Sequence, residues 1–533
     1  MSSSYDYLIV GGGTAGCVLA ARLSENPDVS VLLIEAGKRD RHPLIHIPAG
    51  FAKLTAGPYE WGFSTAPQQH CEDRTIPYAQ GKVLGGGGSI NAQVFTRGAP
   101  QDYDRWSQQH GCSGWSFAEV QQYFVRSEGN ARLGGPWHGT DGPLGVSDFP
   151  DLHALTVAFI EAGKQAGIPE TDDFNGESQH GVGAYQITNR DRKRCSAATG
   201  YLKPVQNRPN LTVELHSHVR RLILDGSRVV GVETEAGGRT STRRADREVL
   251  MTAGAINTPK ILLLSGIGDP SALGDLGIDT VVESPYVGRN LQDHCDLDVV
   301  YSLRDKISVD RLLRFGPESV LAFVRYAAGR RGPLTSTVVE GGAFTYGDPS
   351  APTPDLQFHF LPAAGAEAGV TATRLGYGCT LNTYFVRPHS RGSVRLASAD
   401  PAAPPLIDPN YLAEDYDVDV SIEGVRQTRE IMTQPAFSRY IEGEHHPGAT
   451  YGSTKDELIR YARDFGRTAY HPVGTCAMGS GDLSVCSADL KVRGVEGLRV
   501  CDASVMPDLV SSNTQAATVM IAEKASDLIR ADA

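Results

Sequence analysis

The first 40 residues alternate apolar runs with a glycine-rich turn, in an order typical of a parallel sheet. Residues 5–10 (YDYLIV) form a continuous apolar run of the length of a buried strand. Residues 14–24 carry small and apolar side chains at helical spacing, and residues 30–38 (VSVLLIEAG) form a second apolar run. This order predicts a strand, a turn, a helix and a second strand that pairs with the first.

Further apolar runs predict that helices and strands continue along the chain. Residues 100–129 indicate mixed helix, and Trp106 and Trp115 within them are expected to anchor the core. The runs between residues 211 and 255 are typical of successive strands. Residues 257–268 (NTPKILLLSGIG) return to a helical pattern.

The C-terminal half is irregular and β-like before it returns to the first pattern. Residues 301–465 include the strand-like runs 355–362 and 377–386. The tail predicts a strand over 498–504 and then a helix from about Thr514 to Leu528. No fixed-period repeat or low-complexity linker marks a boundary, so the predicted domains are expected to interleave.

Composition places the chain among ordinary globular proteins. Of its 533 residues, 40% are hydrophobic and 21% are charged, which is enough apolar material for a large core. At about 150 residues per domain, the length corresponds to roughly three to four domain equivalents, or to two large domains. The formal net charge of −12 argues against sequence-independent nucleic-acid binding, which requires many cations.

The same counts predict a cytoplasmic protein. No apolar run reaches the ~18 residues that a transmembrane helix needs, and no basic region precedes the first strand as in a secretory signal. The nine cysteines form no CxxC pair, so the sequence predicts neither a disulfide framework nor a metal site. A reducing compartment is therefore expected, and a peripheral position on the inner membrane face stays open.

Three glycines after the first strand form the pattern GxGxxG. In a Rossmann-like unit, Gly11 allows the tight turn, Gly13 lets the backbone approach a pyrophosphate, and Gly16 permits close packing of helix and strand. Glu35 follows 19 residues later (35 − 16), where a carboxylate can accept both ribose hydroxyls and would repel a 2′-phosphate. The pattern predicts a dinucleotide site, but by itself it does not distinguish FAD from NAD.

Four motifs along nearly the whole chain resemble those of the glucose–methanol–choline (GMC) family of FAD-dependent oxidoreductases. The N-terminal run DYLIVGGGTAGCVLAARL, with LIEAG, is similar to the ADP-binding unit of that family. Residues 81–98 and 252–268 resemble its two signatures. Residues 470–479 (YHPVGTCAMG), followed by 500–529, resemble its catalytic C-terminal stretch.

Within the family, three segments are most similar to aliphatic alcohol and polyethylene glycol dehydrogenases, with choline dehydrogenases close behind. They are residues 174–183, 209–222 and 406–412. The resemblance implies a mixed α/β fold, in which a Rossmann-like FAD-binding domain is interleaved with a substrate-binding domain built on an antiparallel sheet. It places FAD binding in residues 1–300 and 466–533, and substrate binding mainly in residues 301–465.

The glycine pattern and the resemblance together imply a set of cofactor contacts. They are Gly11, Gly13, Thr14, Ala15, Gly16, Glu35, Ala36, Val83, Gly86, Asn91, Val94, Val219, Asp502, Ala503 and Thr514. One departure from the family is that Gly87 and Gly88 precede Ser89, and the extra glycine is expected to loosen this loop. Another is Ile90, because members with a covalent flavin carry His there; the FAD is therefore predicted to be non-covalent.

Alcohol oxidation removes a hydride from carbon and a proton from oxygen. Flavin can take the hydride, and a neutral imidazole suits the proton because its pKa lies near working pH. His471 matches the catalytic histidine of the family and is predicted to be this base, against the alternative of an ordinary His–Pro turn. The resemblance gives Asn513 a hydrogen bond to the substrate oxygen, but its place before a helix also makes it an N-cap candidate.

The sequence therefore predicts an FAD-dependent dehydrogenase that oxidises a primary alcohol, either a small molecule or a polymer, to the aldehyde. An alcohol oxidase using O2, a choline dehydrogenase and a flavin-containing hydroxynitrile lyase stay open. So do the electron acceptor (a quinone, a dye-type carrier or O2) and a homodimer. His216 and His218 are predicted to be surface histidines, because no third metal ligand lies near them in the sequence. Residues 444–446 (EHH) are predicted either to rim the substrate entrance or to form a solvated loop.

Overall fold

The N-terminal strand, turn, helix and strand fold as the apolar pattern predicts. They belong to a computed structural model that describes residues 4–313, 316–364 and 376–533. Strand Ser4–Val10 pairs in parallel with Val31–Ile34 on one side and with Arg239–Met251 on the other. Helix Thr14–Leu23 buries most of its side chains because it packs against this sheet and against the C-terminal helix Gln515–Ala531.

The first sheet combines a parallel core with two antiparallel strands at one edge. Its strands in spatial order are Leu211–Glu214, Val31–Ile34, Ser4–Val10, Arg239–Met251, Arg228–Ala236 and His218–Asp225, with Leu498–Val500 added in parallel to Arg239–Met251. The carboxyl ends of the parallel strands lead into the loops that begin at Gly11, Glu35 and Thr252. In doubly wound sheets this edge is where ligands bind.

The second sheet is antiparallel. Its strands in spatial order are Ile441–His446, Cys295–Leu303, Gly378–Phe385, Leu356–Leu361, Gly341–Thr345 and Gly181–Ala184, with Arg467–Thr468 also paired to Cys295–Leu303. Strands therefore enter this sheet from both sides of residues 301–465. The predicted fold class is confirmed, whereas the predicted domain boundaries stay a prediction.

The two faces of the second sheet differ in chemistry because its strands alternate apolar and polar residues. Leu297, Leu381 and Phe358 belong to a buried apolar cluster, and helix Asp415–Thr433 packs on this sheet. The intervening positions are polar, and cross-strand pairing brings them together in rows. One row joins Asp296, Tyr384 and Gln357, and the next joins Asp298, Asn382 and His359.

Short strands and helices complete the fold. The α-helices are Thr14–Leu23, Pro43–His46, Pro100–Gln109, Phe117–Ser127, Ala154–Gln165, Lys203–Val205, Gly254–Leu264, Pro270–Gly274, Asp310–Leu313, Pro317–Gly329, Asp415–Thr433, Pro435–Ser438, Lys455–Phe465 and Gln515–Ala531. A small sheet joins Arg289–Leu291, Gly392–Arg395 and Leu406–Asp408. The paired short strands are Phe63–Ser64 with Pro77–Tyr78, Val94–Phe95 with Gln186–Ile187, Glu128–Asn130 with Leu144–Val146, Asn189–Arg190 with Lys193–Arg194, and Ile267–Gly268 with Val282–Glu283.

The predicted elements differ from the observed ones mainly at their ends. The strand expected over 498–504 ends at Val500, and the helix expected over 257–268 begins at Gly254. Trp106 and Trp115 are fully buried, as expected for core anchors. Within the described part of the chain, none of the helices combines the length and the apolar character needed to cross a bilayer.

Candidate active site

A cavity of about 290 Å³ lies between the carboxyl edge of the first sheet and the polar face of the second. Most of the residues predicted to contact cofactor or substrate line it. They are Gly11, Gly13, Thr14, Ala15, Glu35, Ala36, Gly86, Asn91, Val94, Val219, His471, Asp502, Ala503, Asn513 and Thr514. The cavity thus brings together residues that lie up to about 500 positions apart in the sequence.

The two predicted contacts outside this lining have other roles. Gly16 allows close packing, because a Cβ there would lie 2.0 Å from the carbonyl oxygen of Gly11. Val83 is buried in an apolar cluster with Ile45, Leu54 and Ile90. The structure therefore does not support Val83 as a lining residue, although Gly81 and Gly86 on either side of it do line the cavity.

Three helices begin at the cavity with N-cap residues whose own side chains make no capping hydrogen bond, although Asp502 accepts from the first amide of one of them, that of Gly254 (2.8 Å). They are Thr14–Leu23, Gly254–Leu264 and Gln515–Ala531, whose N-cap residues Gly13, Ala253 and Thr514 all line the cavity. The first amides of a helix lack partners within the helix, and its N-terminal end carries partial positive charge. The cavity is therefore suited to a ligand with anionic groups, such as the pyrophosphate of a dinucleotide.

Glu35 stands where the sequence places the ribose carboxylate. Its two oxygens accept hydrogen bonds from the backbone N–H of Gly12 (2.8 Å) and of Gly37 (2.7 Å). Burial raises the pKa of Glu35 to about 7, against the lowering effect of these two bonds. Ser217 and Val219 line the cavity from the neighbouring strand connection, so this end of the cavity belongs to the first sheet.

Hydrogen bonds from Arg194 hold the glycine-rich loop of residues 81–91 (the glycine loop), while the effect of its extra glycine stays a prediction. The buried guanidinium of Arg194 donates to the carbonyl of Gly88 (3.2 Å) and to Oδ1 of Asn91 (2.7 Å). A Cβ on Gly88 would lie 3.1 Å from both Gln515 Nε2 and Thr14 Oγ1, so a side chain here would crowd the start of two helices.

Gln515 adds a second observation that fits a bound cofactor. Its Oε1 accepts from Asn91 Nδ2 (2.6 Å), whereas its buried Nε2 makes no hydrogen bond within the protein. A buried amide donor without a partner is costly, so a ligand acceptor at this position would satisfy it. The helix N-termini, the Glu35 carboxylate and this donor together fit a dinucleotide such as FAD.

His471 and Asn513 face each other across the wall of the cavity. The Nδ2 atom of Asn513 lies 3.1 Å from Nε2 of His471. The Oδ1 atom of Asn513 accepts from Thr96 Oγ1 (3.0 Å) and from Gln357 Nε2 (3.1 Å). The C-terminal helix has Thr514 as its N-cap residue, so the side chain of Asn513 serves the cavity and not the helix end.

Hydrogen bonds to buried residues behind the cavity lining hold His471 in place. Its backbone N–H donates to Oδ1 of Asp293 (2.7 Å), and Oδ2 of Asp293 accepts from Tyr78 (2.7 Å) and Thr468 (2.6 Å). The Nδ1 atom of His471 lies 3.0 Å from Nδ1 of His294. Burial lowers the pKa of His471 to about 3, so the imidazole is neutral and can accept a proton.

Sequence reasoning missed the polar wall beside His471. Asp296, His359, Asn382 and Tyr384 line the cavity from the second sheet. Their signal was the alternation of polar and apolar residues in the strand-like runs, which indicates a sheet with one polar face. That pattern could have identified the face, but not which ligand it meets.

One arginine pairs with two carboxylates on this face of the second sheet. Arg467 lies 2.8 Å from an oxygen of Asp296 and 2.8 Å from an oxygen of Asp298. Asn382 Nδ2 also donates to Asp296 (3.1 Å). Because all these groups are buried, the Asp296 carboxylate meets the cavity already paired with a cation.

His216 is exposed, as expected, but the other residues of the two histidine motifs lie elsewhere than expected. His218 lines the cavity, 5.7 Å from the ring of Trp61, and burial lowers its pKa to about 4. Residues 444–446 belong to the edge strand Ile441–His446 and do not line the cavity, and Glu444 pairs with Arg429 at 2.8 Å. Over residues 4–313, 316–364 and 376–533, no three His, Cys, Asp or Glu side chains are grouped to hold a metal ion.

Because three buried histidines have lowered pKa values, we expect the protein to lose stability in acid. Burial lowers the pKa of His471 and of His359 to about 3, and that of His294 well below its ordinary value. The unfolded chain binds these protons below pH ~6.5 and the folded chain does not. The free energy of unfolding should therefore fall with pH between ~6.5 and ~3, by up to ~1.4 kcal/mol per pH unit for each histidine.

Urea unfolding between pH 7 and pH 4.5 measures this slope. The variant His359→Gln removes one titrating imidazole and should flatten the dependence, since the glutamine amide does not ionise. An equally steep slope in that variant would show that His359 is already protonated in the folded protein.

Curated proteins with similar sequences include dehydrogenases that match almost the whole chain. Among curated proteins, an alcohol dehydrogenase [acceptor] of Pseudomonas putida is 42% identical over 529 residues, covering 98% of this chain and 95% of that protein. An oxygen-dependent choline dehydrogenase of Brucella suis biovar 1 is 41% identical over 527 residues, covering 98% of this chain and 95% of that protein.

Solved structures of similar fold cover the whole chain. Pyridoxine 4-oxidase from Mesorbium loti superposes with a TM-score of 0.90 at 31% identity, covering 99% of each chain. A formate oxidase of Aspergillus oryzae, solved in a study of FAD modification, superposes with a TM-score of 0.94 at 30% identity, covering 100% of this chain and 99% of that one. Family models for GMC oxidoreductases match residues 5–296 and 388–522. The chain is therefore a member of the GMC oxidoreductase family.

Proposed function

We propose that this protein is an FAD-dependent dehydrogenase that oxidises neutral primary alcohols to aldehydes, with His471 as the general base. The observation that carries the proposal is the contact of His471 Nε2 with Asn513 Nδ2, at 3.1 Å. This pair lies in the same cavity as the glycine turn and the helix N-termini. A proton acceptor and a hydrogen-bond donor thus stand side by side where a substrate hydroxyl needs both.

FAD is the cofactor, which membership of the family and the FAD of the related formate oxidase both support. The residues that would hold it are Glu35, those of the glycine turn (residues 11–16), those of the glycine loop and those at the start of the C-terminal helix. When bound, FAD supplies the acceptor for the hydride that leaves the alcohol carbon.

Side chains of the protein bind the substrate oxygen and accept its proton. The Nε2 lone pair of His471 accepts the hydroxyl proton while the carbon loses hydrogen with its electron pair, and a C=O double bond forms. Asn513 can donate its Nδ2–H to the substrate oxygen, because Thr96 and Gln357 hold its Oδ1 in the opposite direction. The low pKa of His471 keeps its Nε2 unprotonated at neutral pH, so that Nε2 can take the hydroxyl proton once substrate replaces the contact with Asn513.

The charges around the cavity favour a neutral alcohol over choline. A quaternary ammonium group is attracted by a carboxylate that no protein cation already pairs with. The carboxylates that line the cavity are Glu35, Asp296 and Asp502. Glu35 and Asp502 accept backbone hydrogen bonds near the glycine turn, and Asp296 is paired with Arg467.

Anaerobic reduction of the bound flavin tests the proposal directly. Bleaching of the flavin by aliphatic primary alcohols and polyethylene glycols, faster than by choline, is the expected result. Artificial acceptors such as indophenol dyes should then support faster turnover than air. A flavin that no alcohol reduces would favour the lyase alternative, and peroxide formation at a rate comparable to dye reduction would make the protein an oxidase.

The flavin is predicted to be bound without a covalent bond. Ile90, at the position of the linking histidine of covalent members, offers no nucleophile. Precipitation with acid should therefore release all yellow colour into the supernatant. A pellet that stays yellow after washing in denaturant would contradict this prediction, and a colourless protein that FAD cannot reconstitute would undercut the cofactor assignment.

A further inference from the structure

We propose that His294 is a positioning residue that fixes the tautomer of His471, so that the Nε2 lone pair of His471 faces the cavity. The proposal rests on the proposed role of His471 as base. The tautomer itself, however, depends only on buried groups behind the cavity lining, namely His294 and the carbonyl of Val386. His294 immediately precedes the strand Cys295–Leu303 and is completely buried.

The contact of His294 with the backbone determines where its proton lies. Its Nε2 atom is 3.1 Å from the carbonyl oxygen of Val386. A carbonyl can only accept, so Nε2 of His294 must carry the hydrogen. In the neutral ring, Nδ1 of His294 is then a bare acceptor.

The proton position on His471 follows from this. Its Nδ1 atom lies 3.0 Å from the bare Nδ1 of His294, and two lone pairs at this distance would repel each other. Nδ1 of His471 must therefore donate, which leaves its Nε2 as the acceptor. The amide of Asn513 agrees with this assignment, since its Nδ2–H points at Nε2 of His471.

The surroundings keep His294 neutral. Its complete burial lowers its pKa most, Tyr384 stacks on its ring at 5.1 Å, and the positive charges of a protonated His471 or His359 and of Arg387 would further oppose its protonation. The adjacent carboxylate, Asp293, accepts from the backbone N–H groups of His294 and His471 and from hydroxyl groups. Protonation of His471 leaves the same bond in place, because Nδ1–H is present in both charge states.

Three substitutions of His294 separate positioning from general packing. All three lose the bond to Val386, but they differ at the atom that faces His471. His294→Asn places an amide oxygen near the position of Nδ1, His294→Leu places a methyl group there, and His294→Asp places a carboxylate there. Single-turnover flavin reduction, FAD content and thermal unfolding would be measured for each.

The Leu variant should keep FAD and reduce it at least ~10-fold more slowly, as expected when the wrong tautomer becomes accessible. The alcohol Kd should stay within about twofold, because His294 does not touch substrate. The Asn variant should recover most of the rate. The Asp variant should raise the pKa of His471, since an opposite charge in contact raises it by ~1–3 units, and its reduction rate should therefore fall on acidification from pH 7 to 5, where the wild-type rate stays level.

His153→Leu is the matched control. His153 also bonds a carbonyl through Nε2 (Ile307, 3.0 Å) and accepts a backbone N–H at Nδ1 (Leu155, 3.2 Å), but it does not line the cavity. Its loss should lower stability without changing the rate of flavin reduction. Equal rates in the Asn and Leu variants, or an Asp variant with the wild-type pH profile, would overturn the proposal.

Nitrogen NMR of histidine-labelled wild-type protein tests the tautomer without activity. The expected spectrum shows a protonated Nδ1 and a bare Nε2 for His471, assigned by comparison with His471→Ala. A bare Nδ1 would overturn the positioning role even if the enzyme oxidises alcohols. The expected spectrum in a protein that oxidises no alcohol would leave the tautomer assignment standing and refute the proposed function instead.

Discussion

Replacing His471 with alanine should give a yellow, folded protein that is reduced by alcohol ~10²–10⁴-fold more slowly than wild type, the usual effect of losing a general base. FAD should be retained, because the glycine turn, Glu35 and the helix N-termini lie on other segments of the cavity wall. Stopped-flow bleaching of the flavin measures the change without interference from the oxidant. The control His153→Ala removes an imidazole outside the cavity and should leave the rate unchanged.

The partner residue distinguishes catalysis from packing. Asn513→Asp keeps the size of the side chain and the acceptor for Thr96 and Gln357, but it replaces the Nδ2–H donor with a negative charge. We expect a stable protein with slow flavin reduction. A fully active Asn513→Asp variant would remove Asn513 from the proposed chemistry, and a fast His471→Ala variant would transfer the role of base to another group.

The N-terminal unit could be predicted because its signals are local. The apolar runs, the GxGxxG turn and Glu35 all lie within 40 residues, and each part constrains the next through backbone geometry. The lining of this side of the cavity could therefore be predicted almost residue by residue, and its contacts with a cofactor stay a prediction. Val83 is the exception, since the Lys-Val-Leu sequence between Gly81 and Gly85 does not show to which side its apolar residues point.

The substrate side could not be predicted in the same way because long-range pairing creates it. Asp296, Asn382 and His359 come from three different strands, and register alone places them on one face. The N-cap alternative for Asn513 had a similar cause. Its sequence position before a helix suits a cap, and only tertiary contacts with Thr96 and Gln357 show that the side chain turns away.

His294 shows how tertiary structure adds chemistry that residue identity lacks. In the sequence it is one of 15 histidines. In the fold, a carbonyl on one side and the base on the other assign the hydrogen to each of its nitrogens. A buried polar pair can thus determine protonation without any net charge, which a carboxylate in the same place would add.

Arg467→Met should have the largest effect on stability and should also change substrate preference. The substitution leaves the buried carboxylates of Asp296 and Asp298 without their cation, and breaking a buried ion pair from one side typically costs ~3–5 kcal/mol. The double variant Arg467→Met with Asp298→Asn should recover part of this loss, because it removes one of the two uncompensated charges. Arg463→Met, an exposed position on helix Lys455–Phe465, is the control and should stay near wild-type stability.

In that double variant, Asp296 faces the cavity without the positive charge of Arg467. A carboxylate there attracts a quaternary ammonium group, so kcat/KM for choline relative to a medium-chain alcohol should rise by about tenfold, the equivalent of ~1.4 kcal/mol. Adding Asp296→Asn should return the ratio to the wild-type value, because the attracting charge is then gone. An unchanged ratio in the double variant Arg467→Met with Asp298→Asn would mean that substrate does not reach Asp296. A wild-type enzyme that already prefers choline would show that the pairing of Asp296 with Arg467 does not exclude cations.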